Sequence, residues 1–160
     1  MSKVKTTLKR FANLRDYKVL SDVILKDGQN QHKIDYVMIG EFGILCLCGY
    51  DGKGELYGNE NDRNFVTVDK KMNRTMAPNL IKTAKKNQEV LRSFVADKKF
   101  YNIKIETAIV IENKNCQPLF SASDVPVVKL QELSKFLNKE KFELDNKVKT
   151  QEIFDAIVGR

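Results

Sequence analysis

The chain of 160 residues contains no tryptophan, one histidine and only three cysteines. An odd and sparse set of cysteines excludes a disulfide framework, so we expect a reducing, cytoplasmic location. Hydrophobic runs are also short, since none approaches the roughly 20 residues that a membrane helix requires. The basic N-terminal segment lacks the apolar stretch of a secretory signal. We therefore expect neither a membrane partner nor secretion.

The apolar residues that are present suffice for one folded core. Hydrophobic residues make up 42% of the chain, and charged residues make up 31%. A domain of this length buries about 68–70% of its unfolded surface and needs no metal or disulfide to fold. The sequence predicts a single domain over residues 1–160.

The positive charge is concentrated in one segment. The chain has a net charge of +7, from 28 basic and 21 acidic residues. Residues 70–99 contain nine of the basic and two of the acidic residues, so the 19 of each sign outside this segment cancel. A local basic field attracts polyanions, above all nucleic acid. The same charges are also typical of a solvated helix face.

Strand and helix patterns follow one another in an order typical of an α/β (α+β) sandwich. An amphipathic helix opens the chain, and three short strands follow at hairpin spacing. The third of these, Ile44–Cys48, is apolar throughout, as in a strand covered on both faces. Two small peripheral strands precede a helix from Pro78 to about Val95, which has an apolar stripe and a basic back. Further strands near 103–111 and 125–130 and two final helices complete a mixed sheet, begun by the three-strand meander, with flanking helices.

Four short segments carry a family resemblance. They are Tyr17-Lys-Val-Leu-Ser-Asp-Val, Ile34-Asp-Tyr-Val, Phe42-Gly-Ile-Leu-Cys-Leu and Gly54-Glu-Leu-Tyr-Gly58. In order and spacing they resemble the nuclease-related domain (NERD) family over about residues 4–95. The resemblance implies the restriction-endonuclease-like fold of the PD-(D/E)xK superfamily. In that group two carboxylates on adjacent strands hold Mg²⁺, and a nearby lysine supports the attacking water.

The resemblance also implies that the catalytic set is incomplete in this chain. The family's Asp matches Asp35, which remains as a remnant of the site. Counting back from the matched glycines places the family's Glu on Cys48 and its Lys on Tyr50. A soft thiol is a poor ligand for Mg²⁺, and tyrosine carries no positive charge near pH 7. We therefore expect no cofactor and an inactive nuclease homologue, a pseudoenzyme.

Three functions remain open at the level of sequence. The leading hypothesis is a non-catalytic nucleic-acid-binding or scaffolding protein. The second is an active Mg²⁺-dependent DNA or RNA nuclease with a relocated site, built from Asp35, Asp51 or Glu55 with Lys33 or Lys53. The third is a protein-interaction module with a protein partner. The predicted nucleic-acid contacts are Lys70, Lys71, Arg74, Lys82, Lys85, Lys86 and Arg92.

Overall fold

A computed structural model describes residues 2–120, 122 and 124–159. Its α-helices are α1 (Lys3–Asn13), α2 (Leu80–Asp97), α3 (Leu133–Leu137) and α4 (Thr150–Val158), and 3-10 turns span Leu130–Glu132 and Glu140–Phe142. The strands are β1 (Lys18–Asp27), β2 (Asn30–Gly40), β3 (Gly43–Tyr50), β4 (Gly54–Tyr57), β5 (Asn64–Val68), β6 (Arg74–Pro78), β7 (Ile105–Ile111), β8 (Cys116–Leu119) and β9 (Val127–Lys129).

The larger sheet has five strands in the order β1-β2-β3-β7-β9. The first three form an antiparallel meander, and β7 and β9 add to it in parallel. The β1–β2 hairpin turns at Gly28, whose φ of 64° is a left-handed conformation that glycine adopts without steric cost. The predicted meander and mixed sheet are confirmed.

Helices cover both faces of this sheet. On one face, Leu45 and Leu47 of β3 belong to a buried cluster that includes residues of α1 and α3. On the other face, Ile44 and Cys46 belong to a second cluster with residues of α2 and α4. A strand covered on both faces requires apolar side chains at consecutive positions. The apolar third strand thus predicted the sandwich correctly.

Helix α2 begins at Leu80, two residues later than the sequence predicted. The side chain of Asn79 caps the helix by accepting a hydrogen bond from the backbone N–H of Lys82 at 3.1 Å. Its amide nitrogen also donates to the carbonyl of Asp62 at 2.7 Å, which ties the preceding loop to the helix start. The predicted apolar stripe is buried, apart from the half-buried Phe94. No helix among the described residues is long and apolar enough to cross a membrane.

A second, smaller sheet has the strand order β6-β5-β4-β8. The sequence pattern predicted β4 and β5 but neither β6 nor β8. These two edge strands contain Pro78 and Pro118, and proline weakens a strand signal because it cannot donate to the ladder. An edge strand tolerates this loss, since one side of it has no neighbour in the sheet.

Candidate functional site

An open cleft of about 530 Å³ lies where α1 begins and where β3 and β7 end. Residues of β2 also line it, because β2 pairs with β3. Its lining includes Lys33, Asp35, Tyr36, Gly49, Asp51 and Glu112. The cleft therefore contains the predicted Asp35 and two acidic groups that the sequence did not indicate, Asp22 and Glu112.

Asp35 is held in place by the backbone of β3. Its Oδ2 accepts a hydrogen bond of 2.9 Å from the N–H of Gly49, and its side chain is one-third exposed. The Nζ of Lys33 lies 3.9 Å from Asp35 Oδ1 and 3.3 Å from Asp22 Oδ1. Lys33 and Asp35 share a strand face as predicted, but the ammonium group of Lys33 interacts with both Asp22 and Asp35.

The thiol of Cys48 points away from solvent. Only 2% of this residue is exposed, and it packs in a third buried cluster with Ile109 and Ile111. Burial, together with the nearby charge of Asp35, raises the pKa of Cys48 to about 12. The thiol is therefore protonated at neutral pH, and soft sulfur is a poor ligand for Mg²⁺.

Tyr50 lies half-buried against the same cluster. Its pKa is raised, chiefly by burial, so the phenol is neutral at physiological pH. Where the family resemblance places a catalytic lysine, this chain has a neutral, partly apolar side chain. It has no cation there to support an attacking water.

Glu112 enters the cleft from the end of β7. Its N–H donates to the carbonyl of Tyr50 at 2.8 Å, which continues the parallel pairing of β3 and β7. Its Oε1 lies 3.4 Å from the hydroxyl of Tyr36. A Cβ at Gly49 would stand 2.4 Å from Glu112 Oε2, so a larger residue there would require this carboxylate to move from its present position. In the sequence, the one feature that could have indicated Glu112 as a cleft residue is its position directly after the apolar run Ala108–Ile111.

The pKa of Glu112 is raised by burial first and then by the charges of Asp51 and Asp35, while the hydrogen bond from Tyr36 lowers it. A raised folded-state pKa means that the native fold prefers the protonated acid. The resulting contribution to stability is complete below the unfolded-state pKa and is lost as pH rises through the folded-state pKa. The charge on the ionised Glu112 carboxylate therefore costs the fold stability.

Glu112→Gln is expected to raise the free energy of unfolding at pH 7, because the amide removes this charge. The gain should shrink towards pH 4, where the native glutamic acid is itself protonated. Urea unfolding at both pH values measures the difference. Glu132→Gln, at an exposed position, is the matched control and should change little. A Glu112→Gln variant that is less stable than the parent at pH 7 would contradict this account.

Mg²⁺ is bound by oxygen ligands, of which the cleft offers the carboxylates of Asp22, Asp35, Asp51 and Glu112. Within residues 2–120, 122 and 124–159, no group of three or more His, Cys, Asp and Glu side chains is arranged to hold a metal ion. Oδ2 of Asp35 accepts a hydrogen bond from Gly49, and the position to which the family resemblance assigns the second carboxylate is occupied by the buried thiol of Cys48. Asp51 lines the cleft, but Lys53 and Glu55 do not. Glu55 instead accepts a hydrogen bond from Tyr57 in the smaller sheet.

The seven predicted nucleic-acid contacts fall into two groups. Lys85 pairs with Glu60 and Asp124, and Lys86 pairs with Asp27 at 2.9 Å and more distantly with Glu89. These pairs raise the pKa of both lysines and neutralise them locally. The other five are exposed and form no ion pair with any described residue; they are Lys70, Lys71, Arg74, Lys82 and Arg92.

These five unpaired basic residues lie in two places. Lys70, Lys71 and Arg74 lie in or next to the β5–β6 turn, whereas Lys82 and Arg92 lie on the exposed side of α2. The sequence predicts a basic back on α2. Because its two central lysines are paired with acids from other elements, the turn presents more unpaired charge.

A family model described as nuclease-related domain matches residues 2–112. This range includes the whole cleft and extends past the 4–95 suggested by the short motifs. No curated protein and no solved structure is significantly similar to the chain. Since the family match covers more than half of the sequence, the chain belongs to the nuclease-related domain family.

Proposed function

We propose that this chain is a nuclease-related domain that binds nucleic acid without cleaving it. The observation that carries the loss of cleavage is the state of Cys48, a buried thiol with a pKa of about 12 at the place of a metal-binding carboxylate. Tyr50 adds a neutral side chain at the place of the lysine. Neither a hard-oxygen ligand nor a cation is available at these positions, so no Mg²⁺ cofactor is part of the proposal.

The binding role is supported by the distribution of unpaired charge. Phosphates are contacted chiefly by lysine and arginine, and such contacts position the protein without reading sequence. Lys70, Lys71 and Arg74 are exposed and free of ion pairs within the described part of the chain. We assign the main phosphate contacts to these three residues and secondary contacts to Lys82 and Arg92.

The proposal places the protein in the cytoplasm. All three cysteines are unpaired and buried, as Cys46, Cys48 and Cys116. Free thiols persist in a reducing compartment, which supports this location.

Incubation with supercoiled plasmid and with single-stranded DNA, in Mg²⁺, in Mn²⁺ and in chelator, tests both halves of the proposal. We expect no cleavage in any condition and retarded migration that is lost as salt rises. Divalent-dependent nicking would overturn the non-catalytic assignment. Migration that is unchanged at low salt would overturn the binding assignment.

A second candidate function, a nuclease with a relocated site, is favoured by one observation. The cleft brings Lys33, Asp35 and Asp51 together and adds Glu112. This candidate predicts nicking that Asp35→Ala abolishes and that Glu55→Ala leaves unchanged, because Glu55 lies outside the cleft. Nicking that survives Asp35→Ala would instead indicate a contaminating enzyme.

A further inference from the structure

The outer face of the smaller sheet carries a row of apolar side chains that crosses all four strands. The register pairs Tyr57 with Leu119 on one side and with Val66 on the other, and pairs Val66 in turn with Met76. These four residues therefore lie side by side on one face. Tyr57 is 41%, Leu119 40% and Met76 70% exposed, and Val66 is half-buried.

This row is the counterpart of a buried one. The alternate residues Leu56, Phe65 and Ala77 point inward and are buried in the third cluster. Neighbouring strands lie about 4.8 Å apart, so the outer row is about 14 Å long. An open depression of about 500 Å³ lies along it. Soluble proteins seldom leave a contiguous apolar surface uncovered unless it binds something.

Positive charge lies beside the row. Arg74 in β6 lines the same depression, together with the acids Glu55 and Asp62, and Lys70 and Lys71 lie in the adjoining β5–β6 turn. The turn is held by Asp69, whose Oδ1 accepts hydrogen bonds of 2.9 Å from the N–H groups of Lys71 and Asn73. The turn backbone is thus preorganised, and Arg74, which follows the turn, lines the same depression as Tyr57.

We propose that this face binds single-stranded nucleic acid, with a base stacked on Tyr57 and the phosphates next to Lys70, Lys71 and Arg74. The inference rests on the proposed function and specifies the ligand and the surface. Aromatic side chains on an open sheet are stacking platforms for unpaired bases, whose faces are apolar and flat. Bases in a duplex are already stacked on one another, so this surface favours single strands.

The charges favour nucleic acid over a second copy of this chain. Two basic turns brought together in a symmetric dimer would repel each other, whereas a polyanion neutralises them. The neighbouring Glu55 accepts a hydrogen bond of 3.0 Å from the hydroxyl of Tyr57, which restrains the ring.

The test compares a fluorescent oligothymidine of about 12 nucleotides with its abasic analogue, since site sizes for such platforms are about 4–16 nucleotides. Tyr57→Ala is expected to weaken binding of the oligothymidine about 5- to 150-fold, the effect of losing one base stack. Binding of the abasic strand, which has phosphates only, should stay nearly unchanged. Tyr57→Phe should keep most of the affinity because the ring remains. Tyr101→Ala, which removes an exposed tyrosine outside this sheet, is the matched control.

The outcomes separate this inference from the proposed function. Equal, salt-sensitive binding of both strands by the parent and by Tyr57→Ala would retain phosphate binding and overturn base stacking. No binding of either strand would overturn both. Concentration-dependent dimerisation that Tyr57→Ala abolishes, without binding of either strand, would show that the face is covered by a second copy instead.

Discussion

Replacement of Phe142 by alanine is expected to lower the free energy of unfolding by about 3–5 kcal/mol. Phe142 is fully buried, with its ring 5.3 Å from that of Phe42 and 5.4 Å from that of Phe136. The backbone carbonyl of Phe142 also accepts a hydrogen bond of 2.8 Å from the hydroxyl of Tyr17. Folded domains typically have a free energy of unfolding of roughly 5–15 kcal/mol, so the cavity left by this substitution would remove a large share of the stability.

This substitution also tests the prediction of a single domain over residues 1–160. Phe142 lies outside the segment matched by the family model but belongs to the same buried cluster as residues of α1 and β3. If the chain unfolds as one unit, Phe142→Ala will also accelerate thiol labelling of Cys46 and Cys48, which are buried in the other two clusters. Urea unfolding and thiol reactivity measure the two effects.

Leu144→Ala is the matched control, because Leu144 is close in sequence but substantially exposed. It should change the free energy of unfolding by about 0.5 kcal/mol or less. A Phe142→Ala variant that unfolds at lower urea while the labelling rates of Cys46 and Cys48 stay at the parent values would argue for two independent units.

The second large effect concerns the β5–β6 turn. We expect the triple variant Lys70→Gln, Lys71→Gln, Arg74→Gln to reduce the slope of log affinity against log salt by about 2 on single-stranded DNA, since each phosphate contact contributes about 0.7. A fourfold rise in salt concentration would then lower the affinity of the parent for single-stranded DNA about 20-fold more than that of the variant. Fluorescence anisotropy over a salt series gives both slopes.

A charge-matched control separates position from net charge. The variant Lys85→Gln, Lys86→Gln, Lys149→Gln removes three cations that are in ion pairs with Glu60, Asp27 and Glu152, among other acids. Its slope should change by less than about 1, because paired lysines release few counterions on binding. If the slope of log affinity against log salt falls equally in both variants, only the overall charge matters and the turn is not the contact surface.

Local sequence patterns determined the types of the main elements. Alternation and apolar runs predicted the three-strand meander, and the Leu80–Val95 stripe predicted α2, because the periods of 2 and about 3.6 residues are properties of the chain itself. The family motifs were also local, so counting back from Gly54 and Gly58 was enough to locate Cys48 and Tyr50. The edge strands β6 and β8 contain proline and have no such pattern, so the sequence did not predict these two of the four strands of the smaller sheet.

What only the tertiary structure decided was which distant residues meet. Glu112 reaches Asp35 and Asp51 because β7 pairs with β3 in parallel, a pairing that no local period encodes. Lys85 and Lys86 look free on a helical wheel, yet acids from other elements neutralise them. The sequence alone determined that the excess charge lies in one segment, and it predicts that the catalytic groups are absent. The fold decided which of those charges remain available to a ligand, because ion pairing depends on distances in space and not along the chain.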